Sequence, residues 1–522
     1  MKIELYDTTL RDGAQTEGIS YSVNDKIRIA KALDDLGINY IEGGWPGANP
    51  KDSEFFKKMK RIKLKNSELC AFGATRHPKK KVYLDPNIRG ILDSGTKIVT
   101  IFGKSWDLHV REVLKVSLEE NLKLISESIS YLRSKGRDVI FDAEHFFDGY
   151  KENPNYALKT LLVAQDSGAK TIVLCDTNGG TLTKDISKII FEIKPKIEVQ
   201  LGIHTHNDLD LAVANTLAAV GAGCTHIQGT FNGYGERCGN ADLCTLTGIL
   251  KLKMGIDCIS MDKLKKLTEI SYLISEISNM KHSDNQPFVG RSAFAHKGGV
   301  HIDAMIKNPK TYEHIEPQLV GNQRRFLISE LAGRSPIVIT AKELKLEIDK
   351  KSKKAKKIFK LLQDLEHQGY SFEVADASFK LILQKELKKF KKFFELEGFR
   401  VIVEKRKDER VFAEATIRLK VKGKEQYTAA EGAGPVNALD NALRKALIQF
   451  YPQLTKMHLS DFKVRVLDEK AGTAAKVRVL IQSQDEKESW GTVGVSENII
   501  EASWQALIDS IEYKLLKDKI NA

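Results

Sequence analysis

The sequence predicts an α/β protein whose first half folds as a closed (β/α)8 barrel. Short apolar runs between residue 1 and about residue 260 alternate with longer segments of helical periodicity. Such alternation is typical of parallel strands joined by right-handed crossovers, and a count near eight favours a closed barrel over an open sheet. The residues after these runs are unusually polar, whereas those before them form plain turns such as LGINY and DSGAK.

The apolar runs give the predicted strands. In chain order they are Ile3–Tyr6, Tyr40–Gly43, Leu69–Phe72, Ile98–Ile101, Val139–Phe141, Thr171–Leu174, Val199–Ile203 and Thr225–Gln228. Between them, VNDKIRIAKALDDLG and NYALKTLLVAQDSG carry apolar residues at helical spacing and end on a glycine that can cap a helix. Because chemistry in such barrels lies on the loops after the strands, the polar loops indicate an enzyme.

The rest of the chain divides into two further regions. We expect a barrel domain over residues 1–265, helical linker subdomains over 266–395 and a C-terminal α+β domain over 396–522. The last region shows the order strand–strand–strand–helix twice, and this duplication marks a separate module.

Composition excludes several classes of protein. The 522 residues are 42% hydrophobic and 29% charged, so the chain buries large cores and is not mainly disordered. No apolar run approaches the ~18 residues of a membrane span, and MKIELYDTTLRDGAQ lacks the apolar core of a signal peptide. Six cysteines without a C-x-x-C pair fit a reducing compartment. We therefore expect a soluble, cytoplasmic protein with no membrane partner.

The net charge of +13 leaves phosphorylated, carboxylate and nucleic-acid ligands open. The basic runs at 349–360 and 384–394 have apolar residues between their lysines and no interleaved aromatic pattern, which favours solvated helix faces over nucleic-acid binding. Gly233, Gly235 and Gly239 do not complete a G-x-G-x-x-G motif and no phosphate-binding P-loop occurs, so neither ATP nor NAD is expected. A basic RNA- or phosphate-binding scaffold remains the non-enzymatic alternative.

The segment HTHN after the seventh predicted strand indicates a metal site. His204 and His206 are alternate residues of an extended backbone, so both imidazoles can face one ion. Asp12, after the first strand, and Asn240, after the eighth, belong to the same rim and can add oxygen ligands. This mixed donor set suits divalent Mn, Zn, Co or Mg. An isolated H-x-H is more often a polar strand end, and it is the presence of Asp12 and Asn240 that favours the metal.

Further polar residues at the strand ends are candidates for catalysis. Arg11 adjoins Asp12, and its cation can stabilise an enolate or alkoxide oxygen. Glu144 can act as a general base or orient one, and Thr177 can bond a substrate carboxylate. The alternatives are a surface ion pair for Arg11 and a buried pair with a barrel-end Arg or Lys for Glu144.

A second group of candidates lies beyond the predicted barrel. His301 and Asp303 in GGVHIDAM can form a proton shuttle, and Tyr312 follows them. His296 competes for the same role. A purely structural role for these side chains also remains open.

Four motifs, DTTLRDGAQ, HTHND, GYGERCGN and AFAHKGGVHID, resemble in this order those of the acyl-CoA-dependent 2-oxo-acid Claisen synthases, the DRE-type TIM-barrel metalloenzymes. The family includes 2-isopropylmalate, homocitrate and citramalate synthases, and the resemblance covers nearly the whole chain. The tail segment TAAEGAGPVNALDNALRKAL is similar to the family's leucine- or isoleucine-sensing regulatory domain. EGGWPGANPKD, IFGKSWDLHV, FDAEHFFDGY and GRSPIVITAKEL look most like the citramalate synthase branch.

The resemblance implies a metal-dependent condensation of acetyl-CoA with a 2-oxo acid. The divalent cation would be held by Asp12, His204 and His206, with Asn240 bound directly or through water. The 2-oxo acid would chelate the ion through its ketone and carboxylate oxygens. Arg11 would lie against the developing alkoxide and enolate, and Thr177 against the carboxylate.

The resemblance also implies which groups move the proton. Glu144 and His301 would serve the deprotonation of acetyl-CoA, with His301 reaching the active site of the partner subunit and Tyr312 and Asp303 supporting it. Thioester hydrolysis would then release CoA. The family further implies a domain-exchanged homodimer and a branched-chain amino acid, isoleucine or leucine, as effector.

The branch predicts pyruvate as the acceptor and (R)-citramalate as the product, in isoleucine biosynthesis. The nearest alternative is a 2-isopropylmalate synthase that uses 2-oxoisovalerate, and a more distant one is a lyase running the reverse cleavage. Asp142 would repel the second carboxylate of 2-oxoglutarate if it faces the pocket. Two methyl groups are worth only ~1–3 kcal/mol of discrimination, so the residues themselves leave pyruvate and 2-oxoisovalerate open.

Overall fold

The computed structural model of the chain describes residues 2–387, 389–405, 407 and 411–521. Lys388 of the predicted basic run, and residues 406, 408–410 and 522 of the predicted C-terminal domain, lie outside the described residues. The chain divides into two units, Met1–Phe294 with Ile315–Arg324, and Ala295–His314 with Arg325–Ala522. Within the described ranges, no helix combines the length and apolarity needed to cross a bilayer.

The first unit contains a closed barrel of eight parallel strands in sequential order, which confirms the predicted fold class. The strands are β1 (Glu4–Asp7), β2 (Tyr40–Gly44), β3 (Glu68–Ala74), β4 (Ile98–Lys104), β5 (Asp138–Glu144), β6 (Thr171–Asp176), β7 (Gln200–Thr205) and β8 (His226–Gly229). The barrel closes because β1 pairs with both β2 and β8. β4 and β5 run further than predicted, because β4 continues through Phe102 and Gly103 to Lys104 and β5 continues through the charged residues Asp142 and Glu144.

Helices follow the strands of the barrel. They are α1 (Val23–Leu36), α2 (Pro50–Met59), α3 (Pro86–Ser94), α4 (Asp107–His109), α5 (Leu118–Ser134), α6 (Phe146–Glu152), α7 (Pro154–Asp166), α8 (Thr183–Ile193), α9 (Ala212–Gly221), α10 (Leu243–Leu252), α11 (Met261–Leu264) and α12 (Leu267–Ile277). α1 begins with a capping box between Ser22 and Asp25 and ends at Gly37, whose φ of 94° is left-handed. Its apolar stripe, including Ile29 and Leu33, is buried in the core of this unit.

Side chains fill the inside of the barrel in layers. At the base, the rings of Tyr6, Tyr40 and His226 pack with centroids 5.2 to 6.1 Å apart. Because strand side chains alternate, the residue two positions further along a strand points to the same interior. There β2 places Glu42 and β5 places Asp142, and both are buried. The position two residues further along β5, Glu144, reaches the mouth of the barrel.

The second unit contains the helical region and the duplicated module. β9 (Ala295–His296) pairs with β10 (Arg325–Phe326), and the helices of this region are α13 (Gly299–Lys307), α14 (Ser335–Glu343), α15 (Lys353–His367) and α16 (Asp376–Glu386). The first repeat is β11 (Phe394–Glu404), β12 (Phe412–Val421), β13 (Lys424–Gly432) and α17 (Pro435–Leu447). The second is β14 (His458–Val466), β15 (Val477–Gln484), β16 (Ser489–Ser496) and α18 (Ile499–Asn521). Two antiparallel three-stranded sheets therefore confirm the predicted duplication.

A buried ion pair connects α1 to α2, close to the loop after β2. The side chains of Lys26 and Asp52 pair with only 4% and 6% of their surface exposed. Asp52 also accepts a hydrogen bond from the Trp45 backbone N–H at 2.8 Å, and Lys26 Nζ donates to the Gly43 carbonyl at 3.1 Å. Burial lowers the pKa of Lys26, and the charge of Asp52 opposes that shift.

We predict that Lys26→Met destabilises the first unit by about 3 kcal/mol, because Asp52 then remains as an uncompensated buried charge. Urea unfolding followed by tryptophan fluorescence measures the loss. The matched control is Lys58→Met on α2, whose partner Glu54 is 55% exposed. The control is expected to cost less than ~1 kcal/mol. Equal losses in the two variants would show that burial of the Lys26 pair is not what makes it important.

Candidate active site

A cavity of about 390 Å³ opens at the mouth of the barrel, where the strands end. Its lining includes the polar side chains of Arg11, Asp12, Asp142, Glu144, Thr177, His204 and His206. One wall is aromatic. Phe72 and Phe102 stack with centroids 5.5 Å apart, and Trp45 meets both rings edge-on at 5.6 Å. The structure thus brings the barrel residues predicted from the strand ends to one cavity, apart from Asn240, which lies beside His206.

Asp12, His204 and His206 form a group that can hold a metal ion, since one donor atom from each lies within 4.8 Å of the others. The two imidazole Nε2 atoms are 3.3 Å apart. Asp12 Oδ2 lies 3.6 Å from His204 Nε2 and 3.9 Å from His206 Nε2. The backbone of Asn240 forms an isolated β-bridge with that of His206, which places Asn240 beside this group.

The protonation states of this group suit metal binding. Burial alone would raise the pKa of Asp12, but the charges of Arg11, His206 and His204 outweigh it and lower that pKa to about 2. Burial and the neighbouring His206 lower the pKa of His204 to about 3, and burial lowers the pKa of His206. At neutral pH the carboxylate is therefore ionised and both imidazoles are neutral, which are the forms that bind metals.

Two buried oxygens of the group have no hydrogen-bond partner within the described part of the chain, Asp12 Oδ1 and Asn240 Oδ1. The amide of Asn240 is fixed at its other end, where Nδ2 donates to the Tyr234 carbonyl at 3.1 Å. An unsatisfied buried polar atom costs ~1–3 kcal/mol. A divalent cation fits this arrangement, because it offers such oxygens the partner that the protein does not.

Arg11 is held in place from three sides. Its Nε donates to Glu42 Oε1 at 2.5 Å, and its Nη1 donates to Asp12 Oδ2 at 3.0 Å. The guanidinium carbon lies 3.9 Å above the centre of the Phe72 ring. Arg11 is thus not the surface ion pair that remained open from the sequence, since its side chain is 16% exposed and that of Glu42 is fully buried.

Glu42 is a site residue that the sequence did not reveal. Besides Arg11, its carboxylate accepts hydrogen bonds from the hydroxyls of Tyr6 and Thr8 at 2.6 and 2.7 Å. The Tyr6 hydroxyl also lies 2.7 Å from Thr100 Oγ1. A carboxylate inside an otherwise apolar predicted strand was the only signal available. These bonds join β1, β2 and β4 beneath the cavity.

Asp142 faces the cavity, and Gln228 Nε2 donates to its Oδ1 at 3.0 Å. Burial and the nearby charge of Glu42 raise the pKa of Asp142 to about 8. Asp142 thus meets the condition on which the expected repulsion of a second substrate carboxylate depends, since it faces the cavity, and its raised pKa weakens that repulsion.

Glu144 and Thr177 occupy the neighbouring ends of β5 and β6. Glu144 forms an ion pair with Lys104, but its side chain keeps 22% of its surface exposed. Thr177 Oγ1 accepts a hydrogen bond from the His145 backbone N–H at 2.8 Å. His145 has a left-handed φ of 54° at the point where β5 gives way to α6. Because its oxygen is engaged as an acceptor, the Thr177 hydroxyl can direct its hydrogen to another group.

His301, Asp303 and Tyr312 belong to the second unit. His301 lies on α13, and its ring stacks on that of Tyr312 with centroids 4.1 Å apart. Asp303 is bound instead by Lys350, whose Nζ donates to its carboxylate at 2.6 and 2.7 Å. The ring of Tyr312 is therefore placed against His301, whereas the carboxylate of Asp303 forms an ion pair with Lys350.

Three family models match consecutive parts of the chain. The HMGL-like model covers residues 2–274, the homocitrate synthase post-HMGL domain-like model covers 288–369, and the LeuA allosteric (dimerisation) domain covers 373–515. These matches span the barrel, the helical region and the duplicated module in turn.

Full-length relatives narrow the family further. Proteins named (R)-citramalate synthase from Aquifex aeolicus and Geobacter sulfurreducens are 55% and 54% identical to this chain, and each alignment covers 99% of this chain and 98% of the relative. A 2-isopropylmalate synthase from Methanocaldococcus jannaschii is 33% identical over 99% of this chain and 95% of the relative. The chain therefore belongs to the (R)-citramalate synthase branch of the HMGL-like family.

Proposed function

We propose that this protein condenses acetyl-CoA with pyruvate and hydrolyses the product thioester, giving (R)-citramalate and CoA in isoleucine biosynthesis. The observation that carries the proposal is the cavity in which Arg11 adjoins the group of Asp12, His204 and His206. Identity of 54–55% to proteins named (R)-citramalate synthase supports pyruvate as the acceptor.

The proposal includes a divalent cation, Mn, Mg, Zn or Co, at Asp12, His204 and His206. The unpartnered Oδ1 of Asn240 supports its role as a further ligand or as the partner of a ligating water. When bound, the ion supplies Lewis-acid polarisation of the ketone of the 2-oxo acid.

Arg11 stabilises the oxygen on which negative charge develops. Its Nε and one hydrogen of its Nη1 are engaged by Glu42 and Asp12, so Nη2 and the second hydrogen of Nη1 remain as donors for an oxygen in the cavity. Since the guanidinium is already held in position, it needs no rearrangement when the charge forms. Thr177 donates its hydroxyl hydrogen to the substrate carboxylate, in keeping with the bond that its oxygen accepts from His145.

A base must remove a proton from the methyl group of acetyl-CoA. We assign this step to Glu144, which is partly exposed and forms an ion pair with Lys104. The resemblance to the family assigns it also to His301, with Tyr312 and Asp303 in support. The resulting carbon bonds to the ketone carbon of pyruvate, and the new alkoxide takes up a proton. Water then cleaves the thioester, which frees citramalate and the CoA thiol.

A homodimer and a branched-chain amino acid effector, isoleucine or leucine, complete the proposal. The match of residues 373–515 to the LeuA allosteric (dimerisation) domain supports both. The outer strands β11 and β14 carry exposed apolar side chains, among them Val403 at 53% and Val464 at 42% exposure. Apolar surface of this kind is typical of an interface between chains.

We predict that acetyl-CoA releases free thiol fastest with pyruvate and only when Mn²⁺ or Mg²⁺ is present. Pyruvate, 2-oxobutanoate, 2-oxoisovalerate and 2-oxoglutarate are offered in parallel, and a thiol reagent follows the release of CoA. Faster release with 2-oxoisovalerate would instead assign a 2-isopropylmalate synthase. Absence of release with every acceptor would refute the condensation.

We predict that Asp12→Asn and His206→Ala each weaken Mn²⁺ binding by about 100-fold or more, since loss of an outer-shell partner alone costs 10–100-fold. Isothermal titration calorimetry measures the affinity, and circular dichroism checks that the fold is kept. His367→Ala, an exposed histidine at the end of α15, is the control and should bind as the unmodified protein does. Unchanged affinity in both site variants would place the metal elsewhere.

We predict that Phe102→Ala raises the ratio of kcat/KM for 2-oxoisovalerate to that for pyruvate about tenfold, because removing one ring of the aromatic wall enlarges the space for the acceptor side chain. The control is Phe191→Ala on α8, where the ring is 60% exposed. An unchanged ratio in Phe102→Ala would mean that this wall does not contact the acceptor.

A further inference from the structure

We infer that the loop after β3, residues 76–85 and named here the lysine loop, binds the phosphorylated nucleotide end of acetyl-CoA. This inference rests on the proposed function. The cavity of about 390 Å³ is the size of a pocket for a small ligand. It takes the acetyl group and the acceptor, so the nucleotide, which carries all the phosphates, must lie on the rim outside it.

The lysine loop lies at the rim next to the cavity. It follows the carboxyl end of β3, which is the end of the barrel where the cavity opens. Just before the loop, the Thr75 N–H donates to the Phe102 carbonyl at 3.0 Å. Just after it, Asn87 accepts a hydrogen bond from Trp45 Nε1 at 2.5 Å. Both ends of the loop are thus bonded to residues of the aromatic wall.

The loop is held in one conformation by Arg76, whose side chain is only 7% exposed. Arg76 pairs with Glu127 at 2.6 Å and with Glu120 at 3.2 Å. Its Nη1 donates at 3.3 to 3.4 Å to three loop carbonyls, those of His77, Pro78 and Lys80. Asp85 also accepts a hydrogen bond from the His77 N–H at 2.8 Å. A loop fixed from inside pays little ordering entropy when a ligand binds.

The side chains that this loop presents to solvent match a nucleotide. Lys79, Lys80 and Lys81 are all exposed, and within the described ranges no carboxylate pairs with them. Tyr83 and Leu84 follow, 50% and 56% exposed. Adjacent ammonium groups repel one another until an anion lies among them, and a phosphate relieves that repulsion. The Tyr83 ring offers a face on which an adenine can stack.

We expect the variant Lys79→Gln, Lys80→Gln, Lys81→Gln to raise the KM for acetyl-CoA about tenfold, with kcat and the KM for pyruvate unchanged. The KM for S-acetylpantetheine, which has the thioester but no phosphate, should be the same in the variant and the unmodified protein. The matched control is Arg61→Gln, Lys63→Gln, Lys65→Gln. It removes the same charge from exposed residues before β3, at the opposite end of the barrel.

A second measurement separates this inference from the proposed function. Calorimetric titration with adenosine 3′,5′-bisphosphate should show binding to the unmodified protein and to the control variant, and at least tenfold weaker binding to the lysine-loop variant. Equal binding to all three proteins, or an acetyl-CoA KM that does not change, would overturn the inference. Tighter binding of the loop to a polyribonucleotide than to the bisphosphate would instead identify a nucleic-acid site. Absence of thiol release from the unmodified protein would refute the proposed function while leaving the titration informative.

Discussion

The buried pair of Arg11 and Glu42 is the interaction on which the candidate active site depends. Glu42 has no exposed surface, and a carboxylate in that position is stable only when hydrogen bonds and a cation compensate its charge. Tyr6 and Thr8 supply hydroxyl donors, and Arg11 supplies the cation at 2.5 Å. The same guanidinium bonds Asp12 at 3.0 Å. Arg11, which faces the cavity, therefore also compensates the buried charge of Glu42 beneath it. It positions Asp12, one member of the candidate metal-binding group.

The alternation of side chains along the strands explains why the site forms at the mouth. On β5, Ile140 packs in the apolar interior, Asp142 lies in the buried polar layer, and Glu144 reaches the exposed rim. The same two-residue step along β7 leads to His204 and then to His206. Along β5 and β7 the chain thus passes within a few residues from packed core to candidate catalytic side chains, which the core of the barrel supports from below.

Local patterns allowed much of this architecture to be predicted. Apolar runs predict strands, and an H-x-H pair after a strand predicts two imidazoles that face one metal ion. The partners that hold the reactive groups carry no such pattern. Tyr6 and Glu42 are 36 residues apart, so the bond between them is visible only in the fold, although Glu42 interrupts an apolar predicted strand. Asp303 lies 47 residues from Lys350, so its ion pair is visible only in the fold. The sequence thus indicated the candidate reactive groups, and the structure revealed their hydrogen-bond and ion-pair partners.

In the proposed reaction, the methyl carbon of acetyl-CoA becomes bonded to the ketone carbon of pyruvate. The most direct test supplies acetyl-CoA labelled with carbon-13 at the acetyl methyl, together with pyruvate and Mn²⁺, and follows the label by nuclear magnetic resonance. We predict that the label appears in the methylene group of citramalate, and that chiral chromatography identifies the R enantiomer. Label that appears only in acetate, with pyruvate unconsumed, would contradict it.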